Sequence, residues 1–82
     1  MYDVRVLFKD SEQIKSIHDI LDLYVEMFGF REKGIVVHDN IAPWHGNDEY
    51  YYFTVEVDEL EDYDKLDEWV KSIGGTTTVR MN

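Results

Sequence analysis

Residues 50–57 have the sequence YYYFTVEV, which is the plainest strand pattern of the chain. Its apolar residues alternate with more polar ones, which is the period-two pattern of a strand that buries one face. The inward positions are predicted to be Tyr51, Phe53, Val55 and Val57. One helical pattern precedes this strand and another follows it, which predicts an α+β domain whose helices cover the apolar face.

The helical pattern before the strand runs from Asp10 to Gly29. Asp10 is a favourable N-cap, and Gln13 stands where a capping box places Glu or Gln. Gly29 stands where a left-handed residue commonly ends a helix. The apolar stripe of this helix is predicted to face the core, with His18 at its boundary. It comprises Ile14, Ile17, Leu21, Tyr24 and Phe28, widened by Ile20 and Met27.

Two further strand patterns flank this helix. Residues 2–9 alternate in polarity, and residues 30–38 contain a β-branched run with a glycine, Gly34, that indicates a bend or bulge. A polar connection over residues 39–49 follows, in which Trp44 is predicted to cover the edge of the core. The inward positions of the first strand are predicted to be Tyr2, Val4, Val6 and Phe8.

The second helix begins near Asp62 or Asp64 and is ended by Gly74 and Gly75. Its apolar stripe is predicted to comprise Tyr63, Leu66, Val70 and Ile73, with Trp69 on the flank. Residues 76–81 form the last strand pattern. Its inward positions are predicted to be Thr77, Val79 and Met81.

The resulting order, βαββαβ, predicts a single ferredoxin-like domain over residues 1–82. Right-handed crossovers place both helices on one face of a four-stranded antiparallel sheet with strand order 4-1-3-2. The other face is predicted to be open and lined by Arg5, Leu7, Tyr50, Tyr52, Thr54, Thr76, Thr78 and Arg80. Since this architecture hosts many unrelated functions, the fold alone indicates no activity.

The composition excludes several classes of protein. The 82 residues include 18 acidic and 8 basic ones, a net charge of −10, which argues against direct binding of a nucleic-acid backbone. The chain has no cysteine, so disulfides, thiolate metal sites and thiol nucleophiles are excluded. No apolar run is long enough to span a membrane, and a strand pattern begins directly after Met1, so no signal peptide is expected. We therefore expect a cytoplasmic protein.

The negative charge is distributed unevenly along the chain. Residues 48–68 hold ten acidic and one basic residue, a net charge of −9, whereas residues 69–82 have a net charge of +2. The two helices are predicted to present their carboxylates on one acidic surface formed by Glu12, Asp19, Asp22, Glu26, Asp64, Asp67 and Glu68. Carboxylates one helical turn apart lie about 5–6 Å from each other, near the spacing of phosphates along a nucleic-acid strand. This predicts a docking surface for a basic protein by mimicry of nucleic acid; alternatively, the acidic residues serve only solubility.

The open sheet face and the loop offer a second candidate surface for a partner, formed by Arg5, Leu7, Tyr50, Tyr52 and Trp44. Tyrosine, tryptophan and arginine are typical anchors of protein interfaces, so a second copy of the chain or another protein could bind there. RNA-recognition domains of the same element order stack bases on aromatic residues of the first and third strands. Here the first strand offers Arg5 and Leu7 instead, and the net charge repels phosphate.

A catalytic alternative rests on His38 and His45, which lie near carboxylates in the sequence. They could serve a small-ligand-binding or dimeric enzyme domain that uses the open sheet face. Their spacing matches no metal-binding motif, and EF-hand registers starting at Asp58 or Asp62 fail because a leucine occupies a ligand position. The sequence therefore predicts no catalytic residues, no metal and no cofactor.

Taken together, these patterns predict a small acidic binding protein without enzymatic activity. Its most concrete form is an inhibitor or regulator that blocks a basic, nucleic-acid-binding protein by charge mimicry. Small counter-defence proteins encoded by phages have a comparable size and charge, which makes a viral inhibitor one version of this prediction. Neither nucleic acid nor a membrane is expected as a direct partner, and a homodimer is a possible state.

Overall fold

The computed structural model describes residues 1–46 and 49–81. These residues form a sheet and two α-helices: β1 (Tyr2–Phe8), α1 (Ser11–Met27), β2 (Val36–Val37), β3 (Ala42–Pro43), β4 (Tyr51–Val57), α2 (Leu60–Ser72) and β5 (Thr76–Met81). A short 3₁₀ helix, Phe30–Lys33, lies between α1 and β2. Residues 47, 48 and 82 and the side chain of Met81 lie outside the described part, and so does the prediction that Met81 points inward.

The antiparallel sheet and the two helices confirm the α+β class, but the described sheet has five strands where the sequence predicts four. Hydrogen-bonded neighbours follow the order β2-β4-β1-β5, and β3 pairs with β4 outside this path. In the central strand β1, Val4 stands opposite Val55 on one side and Val79 on the other. The predicted four-strand order is therefore matched only in part, because two segments share one edge of β4.

The difference lies at this outer edge of β4. Strands β2 and β3 pair with successive parts of β4, and the backbone amide of Trp44 then donates to the carbonyl oxygen of Tyr50 over 2.9 Å. Residues 42–44 of the predicted connection 39–49 therefore pair with β4 as a short antiparallel strand. This short strand is difficult to recognise in the sequence because it contains Pro43, whose nitrogen cannot donate a hydrogen bond to a neighbouring strand. Proline is tolerated at this position because β3 is an edge strand.

Only two residues of the predicted strand 30–38 pair with the sheet as β2. The chain before them winds into the 3₁₀ helix, because Gly29 and Gly34 at its ends have φ angles of 64° and 85°. A left-handed backbone is easily adopted only by glycine. A Cβ atom at Gly34 would also overlap the carboxylate of Asp58, so this turn needs glycine on two grounds.

The start of α1 has the predicted cap. The Asp10 carboxylate accepts hydrogen bonds from the backbone amides of Glu12 and Gln13, at 2.9 and 3.4 Å. The Gln13 side chain does not complete a capping box. Instead, its amide group donates to the carbonyl oxygen of Ile73 over 3.1 Å, which ties the beginning of α1 to the end of α2.

The core lies between the two helices and the sheet face that the alternation predicts. It comprises Val4, Val6, Phe8, Phe53, Val55 and Val57 with Val37 from the sheet, and Ile14, Ile17, Val25, Leu66 and Val70 from the helices. Two residues differ from the sequence-based assignments in how far they are buried. Val79 does share a face with the core residue Val4, its partner in β1, but 43% of it is exposed because β5 is the outermost strand. His18 is buried rather than at the boundary: its Nε2–H donates to the carbonyl oxygen of His38 over 3.0 Å, and its ring meets Phe53 edge-on.

Candidate functional site

The second half of α1 carries apolar side chains that the fold leaves exposed. Ile20, Leu23, Tyr24, Met27 and Phe28 each have between 49% and 68% of their surface exposed, and we call these five residues the α1 patch. The assignment of four of them to the buried stripe is therefore wrong. Contiguous apolar surface of this kind commonly marks a site of protein or ligand contact.

The α1 patch exists because the apolar residues of α1 cover a wider arc than the sheet can bury. The buried row of the helix consists of Ile14, Ile17, His18 and Val25. At about 100° per residue, the centre of the α1 patch lies about 120° around the helix axis from that row. A helix that lies on a sheet buries one stripe of side chains, so the neighbouring flank is left in contact with solvent.

A groove of about 530 Å³ lies beside the α1 patch, between α1 and α2. Ile20 and Tyr24 of the α1 patch belong to its lining, and Leu66 and Trp69 line it from α2. Further apolar side chains of the lining come from β4 and from the segment between α1 and β2, including Val57. The volume lies within the range of sites that bind ligands or anchoring side chains.

Three charged side chains line this groove, and they differ in their partners. The ammonium group of Lys33 lies 5.4 Å from the ring centroid of Phe30, and that of Lys65 lies 3.4 Å from a carboxylate oxygen of Glu61. Asp62 is half-buried and, among residues 1–46 and 49–81, has no hydrogen-bond or ion-pair partner. The groove is therefore an apolar cleft with one carboxylate that no cation neutralises.

The acidic residues predicted to form one surface are not gathered on the groove. Asp19, Asp22 and Glu26 lie on the flank of α1 that is turned away from α2, since the groove lining contains none of them. On α2, Asp64 and Glu68 are exposed, as is Glu12 near the start of α1. The carboxylates therefore lie on both sides of the apolar surface. Three of these exposed carboxylates also lie near a basic side chain: Glu12 near Lys15 at 3.8 Å, Asp19 near His18 at 3.3 Å, and Glu26 near Arg31 at 3.9 Å.

Asp67 is engaged within the protein. Its Oδ1 accepts a hydrogen bond from the Thr77 hydroxyl over 2.5 Å, and its Oδ2 lies 2.9 Å from the Lys71 ammonium group. The Thr77 hydrogen bond, followed by the contact with Lys71, holds the pKa of Asp67 below its usual value. The same carboxylate raises the pKa of Lys71. With only 18% of its side chain exposed, Asp67 joins α2 to β5 and is poorly placed to meet a partner.

The residues of the second candidate surface do come together on the sheet face opposite the helices. The Trp44 and Tyr52 rings meet edge-to-face at a centroid distance of 5.3 Å, and the Arg5 guanidinium lies 5.4 Å from the Trp44 ring centroid. Leu7 is only 3% exposed, and the Lys9 ammonium lies over the Tyr50 ring. Trp44 therefore packs on the outer sheet face rather than at the core edge. The aromatic and cationic side chains of this face are largely in contact with one another.

The two histidines of the catalytic alternative have different surroundings. His38 Nε2 lies 2.9 Å from Oε2 of Glu56, and both residues line a shallow depression of about 310 Å³ on the outer sheet face. Tyr52 and Asp3 belong to the same depression. His45 is exposed and is not part of this lining. The structure thus places one histidine beside a carboxylate and leaves the other apart.

Sequence reasoning missed the α1 patch and the groove, although one signal was present. Nine of the residues from Ile14 to Phe28 are apolar, and they span roughly 200° of the helix circumference at 100° per residue. That arc is about twice the stripe of about 100° that a surface helix needs to face a core. Leu23 was absent from the predicted stripe, and it lies on the side of the helix opposite the buried row.

No protein-family model, curated protein or solved structure matches this chain. Within the described ranges, neither helix has the length and apolarity needed to cross a lipid bilayer. In the same ranges, no group of three His, Asp or Glu side chains lies close enough together to hold a metal ion.

Proposed function

We propose that this protein is a small acidic binding protein without catalytic activity, which engages a basic macromolecular surface through its helical side. The observation that carries the proposal is the α1 patch, in which five large apolar side chains remain about half exposed or more beside an apolar groove. Burial of apolar side chains contributes roughly 1.5–3 kcal/mol per residue. A partner that covers this surface therefore gains free energy that the isolated chain leaves unused.

The charge of the chain supports a basic partner. The net charge is −10, and carboxylates flank the apolar surface on the outer side of α1 and on the exposed side of α2. Apolar anchors with a border of charge are the usual anatomy of a protein interface, in which the border steers association and selects the partner. A protein that normally binds nucleic acid presents such a basic surface. In its most concrete form, the proposal is a cytoplasmic inhibitor or regulator of such a protein.

We also propose a ferredoxin-like classification for the main strands. The path β2-β4-β1-β5 with both helices packed on one face supports it. In this interpretation β3 is an addition at the outer edge of β4. The classification adds nothing to the functional proposal, because this architecture serves many functions.

The proposal is tested by affinity capture with matched charge variants. The immobilised protein is exposed to lysate of its native cells at about 50 and 500 mM salt, where screening differs strongly. We expect a basic protein to be retained at low salt, retained less at high salt, and lost with Leu23→Ser/Met27→Ser. Asp22→Asn/Glu26→Gln should weaken retention more than Glu49→Gln/Glu59→Gln, which removes the same charge away from the α1 patch. Equal retention by all variants, or capture of acidic proteins only, would contradict the proposal.

A second candidate function is favoured by the His38–Glu56 pair. A histidine held by a carboxylate in a depression beside Tyr52 is an arrangement that could bind a small polar ligand, or serve an enzyme that uses this sheet face. The test is an NMR screen of small polar compounds against the ¹⁵N-labelled protein. Chemical-shift changes clustered at His38, Tyr52 and Glu56 and lost with Glu56→Gln would support this site. Shifts confined to the helical side would argue against it.

A further inference from the structure

The feature of the groove that points most directly to a ligand is the carboxylate of Asp62, which has no partner among the described residues. Asp62, Leu66 and Trp69 lie at i, i+4 and i+7 on α2, so they share the face that lines the groove. Asp62 stands in the first turn of α2, where the helix start favours a negative charge, and its carboxylate can also pair with a cation or a hydrogen-bond donor. Within the described residues no such group pairs with it.

The two lysines of the lining do not change this conclusion. Lys65 pairs with Glu61, and Lys33 lies over the Phe30 ring, so each ammonium group already has a favourable neighbour. Among the described lining residues, Asp62 is therefore the charged group without a favourable neighbour, so an added cation has a partner there. The net charge of −10 acts in the same direction over longer range.

The walls of the groove suit a long basic side chain with apolar neighbours. Tyr24, Phe30 and Trp69 supply aromatic surface, which attracts cations and packs against the aliphatic stems of lysine and arginine. The α1 patch continues this surface along the helix from Ile20 to Phe28, a distance of about 12 Å at 1.5 Å per residue. That length matches about two turns of a partner helix.

We propose that the groove and the α1 patch together bind one amphipathic basic helix of a partner protein. Apolar side chains spaced at i, i+3, i+4 and i+7 cover the α1 patch, and one lysine or arginine of the helix pairs with Asp62. This inference rests on the proposed function, because it names the part of a basic partner that is recognised. A second copy of this chain fits less well, since the carboxylates that border one α1 patch would meet those of the other.

The test uses a defined probe and charge-matched variants. The probe is a fluorescein-labelled peptide of about 15 residues, long enough to form a helix, built from leucine and lysine in an amphipathic pattern. A scrambled peptide of identical composition is its control. Binding is measured by fluorescence anisotropy at about 150 mM salt. In a Trp44→Phe background, Trp69 is the only remaining tryptophan and reports occupation of the groove directly.

We expect the amphipathic peptide to bind and to change Trp69 fluorescence, with the scrambled peptide at least tenfold weaker. Asp62→Asn should weaken binding about tenfold, whereas Glu49→Gln, which removes the same charge from an exposed position outside the groove lining, should change it by less than about twofold. Circular dichroism and thermal melts verify that both variants fold.

Three results would overturn the inference. If the scrambled peptide binds equally well, or if Asp62→Asn and Glu49→Gln have equal effects, charge alone attracts the peptide; the groove assignment then fails while the proposed function stands. If neither peptide binds, recognition of basic surfaces fails as well. If sedimentation shows a dimer that Leu23→Ser/Met27→Ser dissociates, a second copy occupies the α1 patch instead.

Discussion

Two adjacent threonines in β5 provide a sharp test of the structure, because the same substitution should have opposite effects on stability. The Thr77 hydroxyl donates to the Asp67 carboxylate over 2.5 Å and so connects β5 to α2. The Thr78 hydroxyl oxygen is buried and has no hydrogen-bond partner in the described part of the chain. Thr77→Val removes a charge-assisted hydrogen bond, whereas Thr78→Val removes a buried hydroxyl that makes no hydrogen bond within the described part of the chain.

The magnitudes follow from the surroundings of each hydroxyl. A hydrogen bond to a charged group contributes about 1.5–3 kcal/mol to stability. In Thr77→Val the Asp67 carboxylate keeps its contact with Lys71 and remains partly exposed to water, so we expect the free energy of unfolding to fall by an amount near the lower limit of this range. Burial of a hydroxyl without a partner costs about 1–3 kcal/mol in protein variants. Thr78→Val should therefore raise the free energy of unfolding by about 1 kcal/mol, helped by the preference of valine for strands.

Urea unfolding followed by circular dichroism measures both changes through the denaturation midpoint at constant slope. In thermal melts, each kcal/mol should move the midpoint by roughly 4–8 °C in a domain of this size. A Thr77→Val protein as stable as the parent, or more stable, would refute the hydrogen bond between Thr77 and Asp67. A Thr78→Val protein less stable than the parent would show that this hydroxyl has a partner in solution.

The same pair makes a prediction about pH. The Thr77 hydrogen bond and Lys71 lower the pKa of Asp67 in the folded state, so their contribution to stability is present above the unfolded-state pKa and is lost as pH falls through the folded-state pKa. The stability difference between Thr77→Val and the parent should therefore be constant at neutral pH and shrink below about pH 4. A difference that grows on acidification would contradict this assignment.

Two further predictions concern the core. Gly75→Ala should lower the free energy of unfolding by about 1–3 kcal/mol, because the new Cβ would lie 2.5 Å from the Phe8 ring and 2.8 Å from Val70. Urea unfolding measures this change, and an unchanged midpoint would show that the packing around Gly75 relaxes freely. His18→Ala should cost about 2–4 kcal/mol, since it leaves a cavity and an unsatisfied backbone carbonyl. His45→Ala at an exposed position should change the free energy by less than about 0.5 kcal/mol, and equal effects of the two histidine variants would refute the burial of His18.

The fold was predictable where a segment carries its own periodicity. Helix α1 with its Asp10 cap, strands β1 and β4 and helix α2 are long enough for the alternation or the helical spacing to be unambiguous. The region between α1 and β4 was not predictable in this way. Its strands have two residues each, and their pairing depends on an edge of β4 that is distant in the sequence.

For the candidate site, the sequence shows which residues are apolar or acidic but not which of them are exposed. Ile20, Leu23 and Met27 are visibly apolar in the sequence, but helical periodicity states only where apolar residues lie around the axis. Whether they are buried depends on how much of the helix the neighbouring elements cover. Asp62 and Asp67 are both aspartates of one acidic helix, and the sequence itself places Lys71 one turn after Asp67. The packing of β5 against α2 adds the Thr77 hydroxyl as a second donor to Asp67 and brings none to Asp62 among the described residues.

The sequence by itself determined the net charge of −10, the helices and long strands, and the apolar character of α1. These properties depend on residue chemistry and on spacing within a single segment. The tertiary structure decided that the carboxylates are divided by an apolar groove, that the outer sheet face is largely self-packed, and that His18 is a core residue. Each of these depends on contacts between segments distant in the chain, because coverage by a neighbouring element, rather than local pattern, sets which side chains remain available to a partner.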